Sequence, residues 1–140
     1  MERFEEINHT ADAGIRVTAP SLETLFREAA RGLRTLMLPE NMPVPSADMS
    51  VSIAVSGESP AFLMREWLAE LLYIQSRDHV FVVDAELEHV SETDLSAVVH
   101  CARINEDLRV RLTEIKAVTY HRLSVRRTRE GFEARVIFDT

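Results

Sequence analysis

Two apolar stripes of helical period are set into a chain that otherwise alternates apolar and polar residues. The first follows Ser21, a residue type that caps helices, and repeats at i, i+3, i+4 and i+7 as far as Leu36. The second follows Ser59 and Pro60, a cap and a proline at the first helical position, and extends to about Arg77. Each stripe marks one buried side of a helix, so both helices need a second layer to cover them.

The remaining segments predict strands. Residues 49–55 alternate apolar and polar side chains, as expected for a strand with one covered face. Further extended segments are predicted at 2–7, 14–19, 80–83, 85–90, 95–104, 118–126 and 132–139, with a hairpin turn at Glu130 and Gly131. The sequence therefore predicts an α+β fold, a single compact two-layer domain over residues 1–140 with two helices packed on a mostly antiparallel β-sheet.

Composition excludes several classes of protein. A net charge of −7 and a pI near 5.2 argue against direct sequence-specific nucleic-acid binding, because affinity for phosphates comes mainly from clustered cations. The single cysteine, Cys101, excludes an internal disulfide and a cysteine-rich zinc site. No signal peptide and no run of about 18 apolar residues is found, so we expect a soluble, cytoplasmic protein without a membrane partner.

The chain has 16 lysine and arginine residues, and Lys116 is the only lysine among them. Lysine carries a compact charge on a flexible stem, whereas arginine carries a planar fork. One interpretation is a site at which arginine cannot substitute, where Lys116 neutralises carboxylates or contacts a phosphate. The other is a solvated lysine that chance has left on a strand face.

Carboxylates occur near both ends of the chain. Asp12 follows the first extended segment, and Asp139 ends the last one, beside the terminal carboxylate of Thr140. If these strands are neighbours, three anionic groups converge, which is unfavourable without a counter-charge. A hard divalent cation would relieve the repulsion, since Ca²⁺ takes about 6–8 oxygen ligands and Mg²⁺ about six. The alternative is that Asp12 is a turn residue and Asp139 a solvated carboxylate.

Three further residues are candidates for supporting such a site. His9 precedes Asp12 by three positions, and its ring could orient Asp12 or bind the metal; a structural histidine is the alternative, and the same holds for His121. Glu70 lies on the second predicted helix and is a candidate contact for the metal site or a partner, with a solvated helix face as the alternative.

Three motifs occur in one order: His-Thr-Ala-Asp-Ala-Gly-Ile at 9–15, Trp-Leu-Ala-Glu-Leu-Leu at 67–72 and Ile-Phe-Asp-Thr at 137–140. Together they resemble the archease family over nearly the whole chain. The resemblance implies that Asp12 and Asp139 form a metal site for Ca²⁺ or Mg²⁺ (or Mn²⁺). The sequence departs from the usual family pattern at Ala13 and at Thr140, where a larger apolar residue is common, but neither change removes a proposed ligand.

The resemblance also implies a function. Archeases activate the RNA ligase that joins 2′,3′-cyclic-phosphate or 3′-phosphate ends in tRNA splicing and RNA repair, by promoting ligase guanylylation and multiple turnover. We therefore expect a protein cofactor without turnover of its own, which meets RNA and GTP only through the ligase. One rival is a chaperone-like modulator of an RNA-modifying enzyme such as a methyltransferase; the other is a metal-dependent phosphohydrolase.

Overall fold

The computed structural model describes residues 3–8 and 12–140, which form three helices and eight strands. In chain order these are β1 (Arg3–Asn8), β2 (Asp12–Ala19), α1 (Leu22–Met37), β3 (Met49–Ser56), α2 (Pro60–Asp78), β4 (Val80–Val90), β5 (Asp94–Arg103), α3 (Glu106–Arg111), β6 (Ala117–Val118), β7 (Ser124–Thr128) and β8 (Gly131–Asp139).

The strands are divided between two sheets, and every described pairing is antiparallel. The five-stranded sheet has the order β1-β2-β8-β6, and β7 also pairs with β8. The three-stranded sheet has the order β3-β5-β4. The predicted α+β class is thus confirmed, with two sheets where the sequence suggested one and with a third helix in the described chain.

The predicted helix starts are confirmed by their caps. The Ser21 side chain accepts a hydrogen bond from the Thr24 amide at 3.2 Å, and the Ser59 side chain accepts one from the Phe62 amide, also at 3.2 Å. The third helix, α3, is capped by the Asn105 side chain. Sequence reasoning missed α3 because its six residues are too few to show a helical period.

Two strand predictions need correction. The segments 80–83 and 85–90 form one strand, β4, whose pairing with β5 is shifted by irregularities between Val82 and Asp84 and between Leu87 and His89. The predicted strand 118–126 is instead two strands, β6 and β7, separated by a turn in which Arg122 has a φ of 52°. A left-handed residue cannot continue an extended strand, so the chain leaves the sheet there.

The core lies between the sheets and the two long helices. Trp67 on α2 is fully buried, and its indole Nε1 donates a hydrogen bond to the Phe26 carbonyl oxygen of α1 at 2.9 Å. Arg27 and Arg31 of α1 bind the Asp84 carboxylate of β4 at 3.1 and 3.0 Å. Burial opposes the ionisation of Asp84, but hydrogen bonds from Arg31 and Arg27 outweigh it and hold its pKa well below the usual range. In the described chain, no helix is both long enough and apolar enough to cross a membrane.

Replacing Trp67 tests the contact between α1 and α2. We expect Trp67→Ala to lower the free energy of unfolding by about 3–5 kcal/mol, because it leaves a cavity and removes the donor to the Phe26 carbonyl. Urea denaturation measures the change. Tyr73→Ala, an exposed position of the same helix, is the matched control and should stay within about 0.5 kcal/mol of the unchanged protein. Equal losses for the two variants would contradict this account of the core.

Candidate functional site

Asp12 and Asp139 are direct partners across the β2–β8 pairing. Cross-strand partners project to the same face of a sheet, with Cβ atoms about 4.5–5.5 Å apart. The neighbouring residues Ile15 on β2 and Phe138 on β8 are fully buried in the core. Because side chains alternate along each strand, Asp12 and Asp139 lie on the opposite, outer face, where Asp12 is half-buried and Asp139 is exposed.

The chain segment around Lys116 lies on the other side of Asp139. Ala117 of β6 pairs with Asp139, and the Lys116 amide donates a hydrogen bond to the Asp139 carbonyl oxygen at 2.7 Å. Thr119 extends this attachment, since its amide and its hydroxyl both donate to the Ile137 carbonyl oxygen, at 3.0 and 2.9 Å. The end of β8 is therefore held between β2 and the Lys116 segment.

Lys116 lines a cleft between this segment and α2. The cleft has a volume of about 470 Å³, and its walls include Arg65, Tyr73 and Glu114. Among the described ion pairs, none joins the Lys116 ammonium to Asp12 or Asp139. The backbone of Lys116 thus contacts the backbone of Asp139, and Lys116 also lines a neighbouring cleft.

The donor set at the paired aspartates fits an open cation site better than a closed cage. Within residues 3–8 and 12–140, no three or more His, Cys, Asp or Glu side chains are grouped so as to hold a metal ion. Two facing carboxylates repel each other without a counter-charge. Mg²⁺ is commonly held by one or two carboxylates, with water and phosphate oxygens completing its shell. Thr140, which is exposed, follows Asp139 directly.

The other predicted residues are distributed around this end of the sheet. His9 lies outside the described residues. His121 is exposed in the turn after β6, and its amide donates to the Thr119 hydroxyl at 3.2 Å. Glu70 is half-buried on α2 and is not part of the wall of the Lys116 cleft. The structure therefore brings Asp12, Asp139 and the Lys116 backbone together, and places Glu70 on a separate helix.

An aromatic contact that sequence reasoning missed attaches α2 to the Lys116 segment. The Arg65 guanidinium lies 4.8 Å from the centroid of the Tyr120 ring, and its Nε donates to the Val118 carbonyl oxygen at 3.2 Å. Phe62 packs edge-on against the same ring, with centroids 5.8 Å apart. Phe62 and Tyr120 are both large and exposed, and each covers part of the other's ring. In the sequence, the only indication of this contact was that Tyr120 lies four residues after Lys116.

Farther along the outer face, Glu133 forms ion pairs with three arginines. Its carboxylate lies 2.8 Å from Arg126, 3.5 Å from Arg135 and 3.9 Å from Arg16, and Arg16 also binds Glu5 at 2.8 Å. Burial opposes the ionisation of Glu133, yet the hydrogen bonds and charges of the arginines prevail and lower its pKa. The outer face of the five-stranded sheet therefore changes from acidic at Asp12 and Asp139 to a network of three arginines and two glutamates.

Residues 4–140 match the model of the Archease protein family (MTH1598/TM1083). The chain is 32% identical to Protein archease of Methanopyrus kandleri, over 97% of this chain and 98% of that protein. It is 25% identical to Protein archease of Methanosarcina barkeri, over 99% of this chain and 96% of that protein.

Two solved structures have the same fold. The solution structure of Methanobacterium thermoautotrophicum protein 1598 superposes with a TM-score of 0.76 and 28% identity, over 98% of each chain. The crystal structure of an archease, possible chaperone, from Thermotoga maritima has a TM-score of 0.62 and 21% identity, over 97% of this chain and 96% of that one, and supports the fold alone. With a family model that covers all but its first three residues, this chain belongs to the archease family.

Proposed function

We propose that this protein activates an RNA ligase of the tRNA-splicing and RNA-repair type, by promoting ligase guanylylation and multiple turnover. The observation that carries the proposal is the β2–β8 register, which sets Asp12 opposite Asp139, together with the hydrogen bond from the Lys116 amide to Asp139. Residues from three distant parts of the sequence meet at one exposed end of a sheet. Such an end fits entry into the active site of another protein.

The proposed metal ligands are Asp12, Asp139 and the carboxylate of Thr140. Their oxygens suit Mg²⁺, Ca²⁺ or Mn²⁺, and the small number of protein donors leaves room for water or phosphate oxygen. When bound, the cation supplies positive charge for the phosphate oxygens of a nucleotide. The β-pairing on both sides of Asp139 fixes its backbone opposite Asp12, so both carboxylates project from the same face of the sheet.

Lys116 is proposed to contact a phosphate. Its flexible stem allows the ammonium to move from the cleft beside Arg65 toward the carboxylate end of the sheet. Preorganised charge near a transferring phosphorus atom accelerates nucleotidyl transfer without any covalent role for the activator. We propose that RNA and GTP are met only inside the ligase, which agrees with the net charge of −7.

A second candidate function is a chaperone-like modulator of an RNA-modifying enzyme such as a methyltransferase. The archease of Thermotoga maritima, whose fold this chain shares, is described as a possible chaperone. Under this alternative the aspartate pair has only a structural role, so partner binding should be insensitive to chelator. The ligase-activator proposal expects chelator to reduce the effect on the partner.

The first experiment measures ligase guanylylation with GTP and Mg²⁺ at limiting ligase. We expect Asp12→Asn and Asp139→Asn each to lower the stimulated rate by about 10²-fold or more, the range for loss of one preorganised electrostatic group. Lys116→Arg should also lower it, because the planar guanidinium cannot replace a compact ammonium. Glu88→Gln, an exposed acid on β4, is the control and should stimulate normally. Full stimulation by all three folded site variants would refute the proposal.

The facing carboxylates also predict opposite effects of one substitution with and without metal. In chelator, Asp139→Asn should raise the free energy of unfolding by about 0.2–1 kcal/mol, because it removes a like-charge cross-strand pair. With Mg²⁺ near 100 times its dissociation constant, the unchanged protein should gain about 2.7 kcal/mol, and the variant much less. Thermal unfolding measures both arms, with Glu88→Gln as the control. A cation that stabilises the variant as much as the unchanged protein would remove Asp139 from the ligand set.

The proposed role of Thr140 is tested by extending the chain. Residues added after Thr140 convert its carboxylate into an amide, so we expect a C-terminal extension to weaken Mn²⁺ binding in a calorimetric titration. The same extension at the N-terminus serves as the matched control and should leave the affinity unchanged. Equal affinities of the two versions would show that Thr140 is not a ligand.

A further inference from the structure

Strand β3 forms a free edge of the three-stranded sheet, because the sheet has the order β3-β5-β4. Residues 49–56 pair without interruption with β5, and the Gly57 amide extends the register by donating to the Thr93 carbonyl oxygen at 2.9 Å. Hydrogen-bonded pairs alternate along an antiparallel ladder. The odd-numbered residues therefore bond to β5, and the backbone amides and carbonyls of Ser50, Ser52, Ala54 and Ser56 point away from the sheet. Within the described residues, no backbone hydrogen bond reaches these outward groups.

The other sheet edges in the described chain carry devices that oppose pairing with another strand. The edge strand β1 contains Glu5, β6 has only two residues, and β7 contains Arg126 and Arg127. The remaining edge strand of the small sheet, β4, has two register irregularities and acidic residues at 86 and 88. Charges and bulges of this kind are how proteins blunt sheet edges. Strand β3, with the sequence Met-Ser-Val-Ser-Ile-Ala-Val-Ser, has no charge, no proline and no bulge.

The side chains of β3 suit close approach by another strand. The residues with outward backbone groups are serine or alanine, and all four are exposed. The alternate residues, Met49, Val51, Ile53 and Val55, are only half-buried and pack against the core from its margin. A strand added at this edge would cover apolar surface on one face and meet only small side chains on the other.

We propose that β3 pairs antiparallel with β3 of a second copy of this chain, about a two-fold axis at Ile53. This register sets Ser52 opposite Ala54 of the second copy and Ser50 opposite Ser56 of the second copy, and it uses every outward amide and carbonyl of the strand. Isologous contacts place like residues near the axis, so an uncharged strand pairs with itself without repulsion. The two small sheets join into one continuous sheet, and neither Asp12 nor Asp139 belongs to it.

The oligomeric state tests the proposal. We expect the unchanged protein to show a concentration-dependent dimer by sedimentation velocity. Ser52→Lys places an ammonium on each strand near the axis and should shift the protein to monomer, whereas Ser52→Thr should remain dimeric. Circular dichroism and thermal unfolding check that both variants are folded. A protein that is monomeric at its highest soluble concentration would overturn the proposal, and it would do so even if β3 pairs with a strand of a different protein. A Ser52→Lys variant that dimerises normally would also overturn it.

Cross-linking tests the register itself. The one native thiol, Cys101, is fully buried, and burial raises its pKa to about 11, so it does not compete in mild oxidation. Opposed residues of a non-hydrogen-bonded pair have Cα atoms about 4.5 Å apart, within the range that a disulfide spans. Ile53→Cys should therefore form a disulfide-linked dimer, Val51→Cys alone should not, and Val51→Cys with Val55→Cys should. Equal cross-linking of the Ile53 and Val51 single variants would contradict the register.

Discussion

The pairing of β2 with β8 is the constraint on which the functional end of this protein depends. It joins the beginning of the chain to its end over eight consecutive residue pairs, from Asp12 with Asp139 to Ala19 with Phe132. A shift of one residue would turn every side chain to the other face of its strand. Buried residues such as Ile15 and Val136 resist that shift, because it would expose them to water. The position of the aspartate pair is thus fixed by apolar residues that have no chemistry of their own.

The fold places two like charges on opposed residues and holds the backbone of Asp139 on both sides. β2 pairs on one side of Asp139, and Ala117 with the Lys116 amide hydrogen-bonds on the other. Elsewhere the chain neutralises its acids: Asp84 has Arg27 and Arg31, and Glu133 has three arginines. Among the ion pairs of the described residues, none includes Asp12 or Asp139. A cation from outside the chain is the counter-charge that the proposed metal site would supply to this pair.

Sequence reasoning predicted the helix starts well, because caps and apolar periods are local signals. Ser21 and Ser59 each accept the amide hydrogen bond that their positions implied. Non-local features were harder. Nothing in the alternation of residues 80–103 shows that β4 and β5 leave the sheet containing β8 and join β3 instead. Residues 117–128 form two strands instead of one because the backbone of Arg122 is left-handed. Arginine rarely adopts this conformation, so the residue type does not predict it. The sequence predicted that Asp12 and Asp139 come together only if the first and last strands are neighbours. In the structure β2, which begins at Asp12, pairs with the last strand, β8.

The surroundings of Lys116 give a physical reason why arginine does not occupy position 116. The cleft beside it already contains a guanidinium, because Arg65 lies over the Tyr120 ring and donates to the Val118 carbonyl. A second planar fork at position 116 would compete for the same ring face and the same carbonyl acceptors, since arginine prefers stacking and bidentate contacts. A lysine has neither preference, and its solvated ammonium stays available at the rim. The occupation of this cleft by Arg65 therefore favours lysine over arginine at position 116.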